Sequence, residues 1–507
     1  MIVGIDLGTT YSAVAAAPYG GRPRVLPNQL GELTTPSCVH FAGPDEVVVG
    51  ALAKDRLRTD PDDTVALIKR RMGTEFTLHF HGTDHTPESV SALILRALVA
   101  DAAEELGAAP DEPVRAVITV PAYFGLRERE ATQQAAEMAD IDVLELVAEP
   151  VAAALHYGTS DTTERTVLVY DLGGGTFDCT VLRSGGGSVA VLATDGDSHL
   201  GGAEVDERLG AELLDRLAEV LPPGAEHPSE DIAAVRTATS LAEIAKRNLA
   251  GRTRQEVTFR HGGQVLRTDI GRDLLAAASQ DLVDRTMAIV ERLLGTVGPG
   301  VRIDDVVLVG GSSRLPAVGE AVTARFGKPP LLVDPELAVA LGAALRAERL
   351  TAGAVASGRE QAVAVLPRGV GVLVRDSNDP AGLREFVHHV LAPNTALPAT
   401  ATTPFATILD DQSTVRIQVF EQAGAVLSEE LSHNRRVLDG EFDGLPGRRA
   451  GSRLDVTVSV GLDGRLTVSG EGPGRTTLRL EAYVEGVVDG ADAARLTART
   501  AAMTVRQ

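Results

Sequence analysis

Two short segments far apart in the chain join an aspartate to a turn rich in glycine and threonine, a combination suited to holding phosphate. The first, Asp6-Leu7-Gly8-Thr9-Thr10, closes the apolar run Val3-Gly4-Ile5, and the second, Asp171-Leu172-Gly173-Gly174-Gly175-Thr176, closes Val169-Tyr170. Each places a carboxylate beside a tight loop whose backbone N–H groups and hydroxyls are free to point outward. Facing each other across a cleft, Asp6 and Asp171 would hold a hydrated magnesium ion through water while the loop amides grip a triphosphate tail. Taken alone, each turn reads as an ordinary hairpin. Its recurrence after about 165 residues reverses that reading and implies two similar half-domains. A third turn, Val309-Gly310-Gly311-Ser312-Ser313-Arg314, follows an apolar strand and precedes a helical pattern, which fits an adenosine site outside a strand's carboxyl end.

The elements that must position these turns follow from periodicity. Residues 1–350 alternate β-rich runs with helical patterns, as in Val114–Val120 followed by 126–139, which predicts α/β layering. From about residue 367 the period becomes two, as in 413–420 and 454–460. There the pair Asp463-Gly464 marks a hairpin, so this part is expected to be all-β. Residues 351–361, rich in Ala, Gly and Ser, read as a linker. The expected organisation is a nucleotide-binding domain over 1–350, a linker over 351–366, a β-sandwich over 367–484 and a short tail over 485–507 with one helix near 491–502.

Composition narrows the class. A chain of 507 residues exceeds one hydrophobic core, and 44% apolar with 23% charged residues marks a globular protein. No apolar run of about 18 residues occurs, and the amino terminus enters a strand without a secretory pattern, so a cytoplasmic home is expected. Cys38 and Cys179 are too few for a disulfide framework and are expected to be buried. A net charge of −22 argues against nucleic acid and anionic membranes as partners, although a local cage of amides can still hold a nucleotide.

Five motifs occur in order: Gly4-Ile5-Asp6-Leu7-Gly8-Thr9-Thr10-Tyr11-Ser12, Val117-Ile118-Thr119-Val120-Pro121-Ala122-Tyr123-Phe124, Glu149-Pro150-Val151-Ala152-Ala153-Ala154-Leu155, Asp171-Leu172-Gly173-Gly174-Gly175-Thr176-Phe177-Asp178 and His199-Leu200-Gly201-Gly202. With them, residues 1–480 resemble the 70-kDa heat-shock chaperone (DnaK-type) family. The resemblance implies an actin-like, duplicated ribonuclease H-like ATPase domain followed by a β-sandwich. It further implies a stress-response chaperone that hydrolyses Mg-ATP to regulate its hold on extended apolar peptides. By position, Lys69 matches the family's essential lysine, Glu149 the carboxylate that orients the attacking water, and Thr176 the hydroxyl beside the γ-phosphate, with Asp6 and Asp171 completing the catalytic set. Gly8, Thr9, Thr10, Tyr11, Gly173, Gly174, Gly175, Gly201, Gly202, Gly310, Gly311, Ser312 and Arg314 fall in the nucleotide loops. Glu243, Lys246 and Arg247 match adenosine-holding residues and Glu336 an acid near the ribose. Pro121 and Arg129 match the interdomain switch; Phe405, Val415 and Ile417 match positions lining a peptide groove. Read without the resemblance, Lys69 is a surface lysine, Glu149 a helix-start acid, 243–247 a charged helix face and the groove residues sandwich core.

Three departures stand out. The family linker is a leucine run closed by an aspartate; Gln361-Ala362-Val363-Ala364-Val365-Leu366 replaces it, which predicts altered coupling between the domains. Glu145 stands where the bacterial family member carries an arginine that meets J-domain co-chaperones, so stimulation by such partners is expected to be poor. The family's helical lid is missing, which predicts fast client release. A nucleotide exchange factor remains compatible with the sequence. Two other functions fit the same fold: a regulatory ATPase with a dedicated protein partner, and a small-molecule kinase.

Overall fold

The computed structural model describes residues 1–507 apart from 19–20, 110, 159–162, 186–187, 353–361, 377–378, 380–382, 425, 443–444, 446–448, 463, 473–476, 481–487 and 489. Asp463 of the expected hairpin and most of the expected linker lie outside the described residues.

The duplication read from the two turns is present in the sheets. Ile2–Asp6 pairs antiparallel with Tyr11–Ala16 and parallel with Val114–Val120, which in turn runs parallel to Ile141–Ala148. In the second half, Arg165–Leu172 pairs antiparallel with Phe177–Gly185 and parallel with Asp305–Val309, which runs parallel to Leu331–Leu332. Parallel strands carried between helices bury both faces, which is why these runs are near-continuously apolar rather than alternating. Each sheet thus forms the centre of one lobe, with its own buried apolar cluster.

Two helices cross between the lobes, Glu149–Tyr157 and Ala338–Thr351. Their backbones touch, since a Cβ on Gly342 would meet the carbonyl oxygen of Ala152 at 1.7 Å; the second of these helices also rests on strand Ile2–Asp6, where a Cβ on Gly4 would meet the backbone of Ala344 at 2.0 Å. Glycine is required at both points because any side chain would force the packed backbones apart.

Beyond the α/β part lies the expected all-β part. One four-stranded sheet has the order Glu385–Leu391, Val370–Arg375, Val415–Gln422, Asn434–Phe442, and the other Ala399–Ala406, Arg453–Val460, Leu466–Glu471, Thr477–Leu480. Alternating residues such as Leu454, Val456, Val458 and Val460 fill the space between the sheets.

Within the stretch expected as a short tail, two elements are described. Gly490–Ala502 is a helix, and Thr504–Arg506 forms a strand parallel to Glu46–Val49 of the first lobe. With too few apolar residues for a core of their own, these elements complete an existing one, a contact no local pattern announces.

Candidate functional site

The two Asp-containing turns meet across the interlobe cleft. A Cβ on Gly174 would strike the Thr10 side chain at 2.3 Å, and one on Gly175 the Thr9 side chain at 2.4 Å. Between the lobes opens a cavity of about 870 Å³, lined by Asp6, Gly8, Thr9, Thr10, Lys69, Glu149, Asp171, Gly173, Gly174 and Thr176 at one end. Tyr11, Glu243, Lys246, Arg247, Gly310, Gly311, Ser312, Arg314 and Glu336 line the other. Gly175, Gly201 and Gly202 lie behind this wall. Gly202 N donates to Gly173 O at 3.0 Å and Ala203 N to Gly174 O at 2.7 Å, which docks the start of helix Gly202–Ala218 on the second turn.

At the acidic end, Lys69 is buried in the short 3-10 helix Ile68–Arg71 and its Nζ donates to Glu149 Oε1 at 2.6 Å. Glu149 opens its helix, where the helix dipole favours a carboxylate. Burial, then Glu149, pushes the Asp6 carboxyl up to about 7, against the opposing pull of Lys69 and a hydrogen bond from Thr119 Oγ1 at 3.2 Å. Burial and the charges of Glu149 and Asp6 likewise raise Asp171 well above the usual carboxylate range. Asp178 is raised for the same first cause, followed by Glu149 and Asp171, and its Oδ1 accepts from Tyr123 N at 3.2 Å. Four acids, Glu149, Asp171 and Asp178 buried and Asp6 half-buried, thus crowd around one lysine. This excess of negative charge suits a divalent cation. Among the described residues no cluster of three or more His, Cys, Asp and Glu is close enough to cage one directly, so the donor set fits a cation held through water and phosphate oxygens.

At the other end, helix Ile232–Leu249 presents Glu243, Lys246 and Arg247. Tyr11 OH donates to Glu243 Oε1 at 3.0 Å and accepts from Arg247 Nη1 at 2.7 Å, with the Arg247 guanidinium 4.9 Å from the Tyr11 ring centre. Lys246 Nζ is held by Asp206 Oδ2 at 2.6 Å and Gly202 O at 2.9 Å. Arg314 and Glu336 form an ion pair at 3.4 Å. At the third turn, Gly310 has φ +81° and a Cβ there would strike Leu172 O at 2.3 Å, so only glycine fits.

Sequence reasoning missed two cations. Lys54, on helix Ala51–Thr59, donates to both Tyr11 OH (2.7 Å) and Glu243 Oε1 (2.6 Å), a link across 189 residues that no spacing discloses. Arg70 grips Gly175 O at 2.7 Å and Glu204 Oε1 at 2.7 Å, tying the lysine's own turn to the second phosphate loop. Its position beside Lys69 was the available signal.

A family model described as Hsp70 protein matches residues 2–477. The chain belongs to the Hsp70 family. Over 490 residues it is 39% identical to the chaperone protein DnaK of Halobacterium salinarum, covering 93% of this chain and 73% of that protein. It is 36% identical over 482 residues to the chaperone protein DnaK of Thermotoga neapolitana, with 92% and 78% covered, and matches that of Thermotoga maritima to the same extent.

In this Hsp70-family chain the β-sandwich is docked on the nucleotide lobes. Leu126 joins the buried core of the sandwich, and Leu126 N, at the start of helix Leu126–Met138, donates to Glu421 Oε1 at 2.9 Å. Glu421 is 0% exposed, and Arg435 bridges it (2.6 Å) to Glu128 (2.5 Å). Of the switch pair, Arg129 is buried, with its Cδ 2.9 Å from where a Cβ on Gly464 would stand, and Pro121 is buried at the end of Val114–Val120. Ala362–Val363 adds a parallel strand to the second lobe's sheet beside Val189 and Ala190. Of the groove residues, Ile417 is 5% exposed and belongs to the sandwich core, whereas Phe405 and Val415 are half-buried against it. Glu145 is not an unopposed acid: Arg346 donates to its Oε2 at 2.7 Å, which neutralises the reversed charge locally.

No helix among the described residues is long and apolar enough to cross a membrane.

Proposed function

We propose that this chain is an ATP-driven peptide clamp in which hydrolysis between the lobes changes the grip of the β-sandwich on extended apolar segments of unfolded proteins. The observation that carries the reading is the pair of phosphate turns in contact across the cleft, with Lys69 and Glu149 poised at its acidic end and the sandwich docked on the same lobes. Lys69 releases Glu149 to bear on the γ-phosphate, Glu149 then orients water, and Thr176 lies beside the transferred group. Asp6 and Asp171 would hold a magnesium ion through its water shell, and that ion would supply charge neutralisation of the triphosphate oxygens. Tyr11, Arg247, Lys54 and Glu243 form a polar wall for the adenosine, and Arg314 and Glu336 a second wall opposite. The domains assigned are residues 1–350 for nucleotide, 351–366 for the connection and 367–484 for peptide, with Phe405 and Val415 at the groove and Pro121 and Arg129 relaying the nucleotide state.

An acidic J-domain signature would meet Glu145 already bound to Arg346, so stimulation by such co-chaperones is proposed to be weak, and exchange of ADP is left to a separate factor or to spontaneous release. The proposed location is the cytoplasm.

The test is fluorescence binding of an apolar model peptide in ATP and in ADP. A large difference between the two affinities supports the clamp, and equal affinities would leave a nucleotide domain joined to an independent module. Absence of any peptide binding would remove the chaperone role and leave a regulatory ATPase.

A further inference from the structure

The β-sandwich is joined to the nucleotide lobes at both of its ends. Where the chain enters it, Ala362–Val363 pairs with the second lobe. Where the chain leaves it, residues 488–507 return to the first lobe. Leu496 and Met503 are each 3% exposed within the first lobe's apolar cluster, with Val488, Ala493 and Val505 packed against it. Thr504, Val505 and Arg506 pair in register with Glu46, Val47 and Val48, and Arg506 meets Glu46 at 3.0 Å. Side chains of the first lobe fasten the backbone of this segment: Arg96 Nη1 donates to the carbonyls of Thr500 and Met503, and Gln134 Nε2 to Val488 O at 3.0 Å. In return, Gln507 Nε2 donates to Asp101 Oδ1 at 2.9 Å.

We infer that residues 488–507 are a second interdomain connector, a strap that holds the β-sandwich against the first lobe while the linker holds it to the second. Chain length sets its reach. Leu480 ends the last strand of the sandwich and Val488 is already docked, so with the strap seated the two lie at most roughly 28 Å apart, eight steps of extended chain. The sandwich cannot swing free on the linker alone. Because its two anchors sit on different lobes, a change in the angle between the lobes acts on the sandwich from both sides, and the altered linker is not the sole route of coupling. The strap is also small enough to open by itself. A helix of 13 residues with a three-residue strand is marginal without its apolar face covered, which places it among the units that open below the global stability.

This inference does not depend on peptide binding, and its test separates tethering from mere covering of a surface. A protease site is engineered into residues 481–487 of the full chain, and dyes are placed on Asp55→Cys of the first lobe and Glu441→Cys of the sandwich; Cys38 and Cys179 are buried and stay unlabelled. The protein is folded, bound to ATP or ADP, and then cut, so that residues 488–507 remain seated while the tether is broken. The expected result is a fall in energy transfer on cutting, with nucleotide affinity unchanged. A second full-chain variant, Leu496→Asp with Val505→Pro, detaches the strap without cutting and should reproduce the fall. Identical energy transfer before and after the cut in both nucleotides would overturn the inference. Peptide binding in the uncut chain is measured in parallel, and its failure would defeat the clamp while leaving the strap standing.

Discussion

Lys69 and Glu149 neutralise each other at 2.6 Å inside a pocket that Asp6 and Asp171 also line, with Asp178 buried nearby. Replacing Lys69 with Met leaves these four acids without their cation. The expected outcome is a loss of hydrolysis on the order of 10²–10³-fold in single-turnover assays, the scale found when one preorganised electrostatic donor is removed, with ATP affinity changed far less. Lys54 acts at the opposite end of the cavity. Lys54→Ala breaks its bonds to Tyr11 and Glu243 and should weaken nucleotide binding by about ten-fold, as expected for a charged hydrogen-bonding group worth about 1.5 kcal/mol, with little change in the hydrolytic step. A titration with fluorescent ADP would show it, and unchanged affinity would exclude Lys54 from the nucleotide wall. At this scale the sequence was legible in uneven measure. The aspartates and glycines of the two turns announce themselves because duplication exposes them. Lys69 carries no local signature and was visible only through resemblance, and Lys54 was invisible because its partners lie 43 and 189 residues away.

Helix Leu126–Met138 is where the two parts of the molecule are bound most closely. Its first free N–H groups point at Glu421 of the sandwich and at its own Glu128, so carboxylates from both domains sit at the positive end of one helix. Arg435 holds those two acids together, and Arg435→Met would leave them buried face to face. Removing one partner of a buried pair costs about 3–5 kcal/mol, so the variant should undock, read as separate unfolding transitions for lobes and sandwich where the parent shows them merged. The same cluster predicts a pH dependence. Burial would raise Glu128, but Arg368 and Arg435 prevail and hold it at about 2, below its ordinary value of 4.5. Its contribution to docking is therefore complete above pH 4.5 and is lost as pH falls toward 2. Energy transfer between sandwich and lobe should follow that window in the parent, and Glu128→Gln should lack this component. Periodicity told helix from strand in both halves of the chain, as Val114–Val120 and Arg453–Val460 show. It did not tell which helix end would meet which strand, because Leu126 reads as a member of its own helix and gives no sign that it enters the core of another domain.

Across the whole molecule, two lobes meet at a crossing of helices with almost no space between their backbones. Gly342→Ala puts a methyl group where the Ala152 carbonyl lies at 1.7 Å. The crossing must spread, at a cost of about 1–3 kcal/mol for overpacking, seen as a lower melting temperature and a weaker stabilisation by ATP. The duplicated α/β plan and the all-β part were legible from repeats and period, whereas the return of residues 488–507 to the first lobe was not, since its three-residue strand is too short to register and its partner strand lies more than 450 residues earlier. That returning strand covers the edge of the sheet at Glu46–Val49, and an uncovered edge of this kind accepts any chain with the matching segment. Two molecules whose straps open together can therefore each donate that segment to the other, closing a swapped dimer that builds up with concentration and persists after the conditions that opened it are gone.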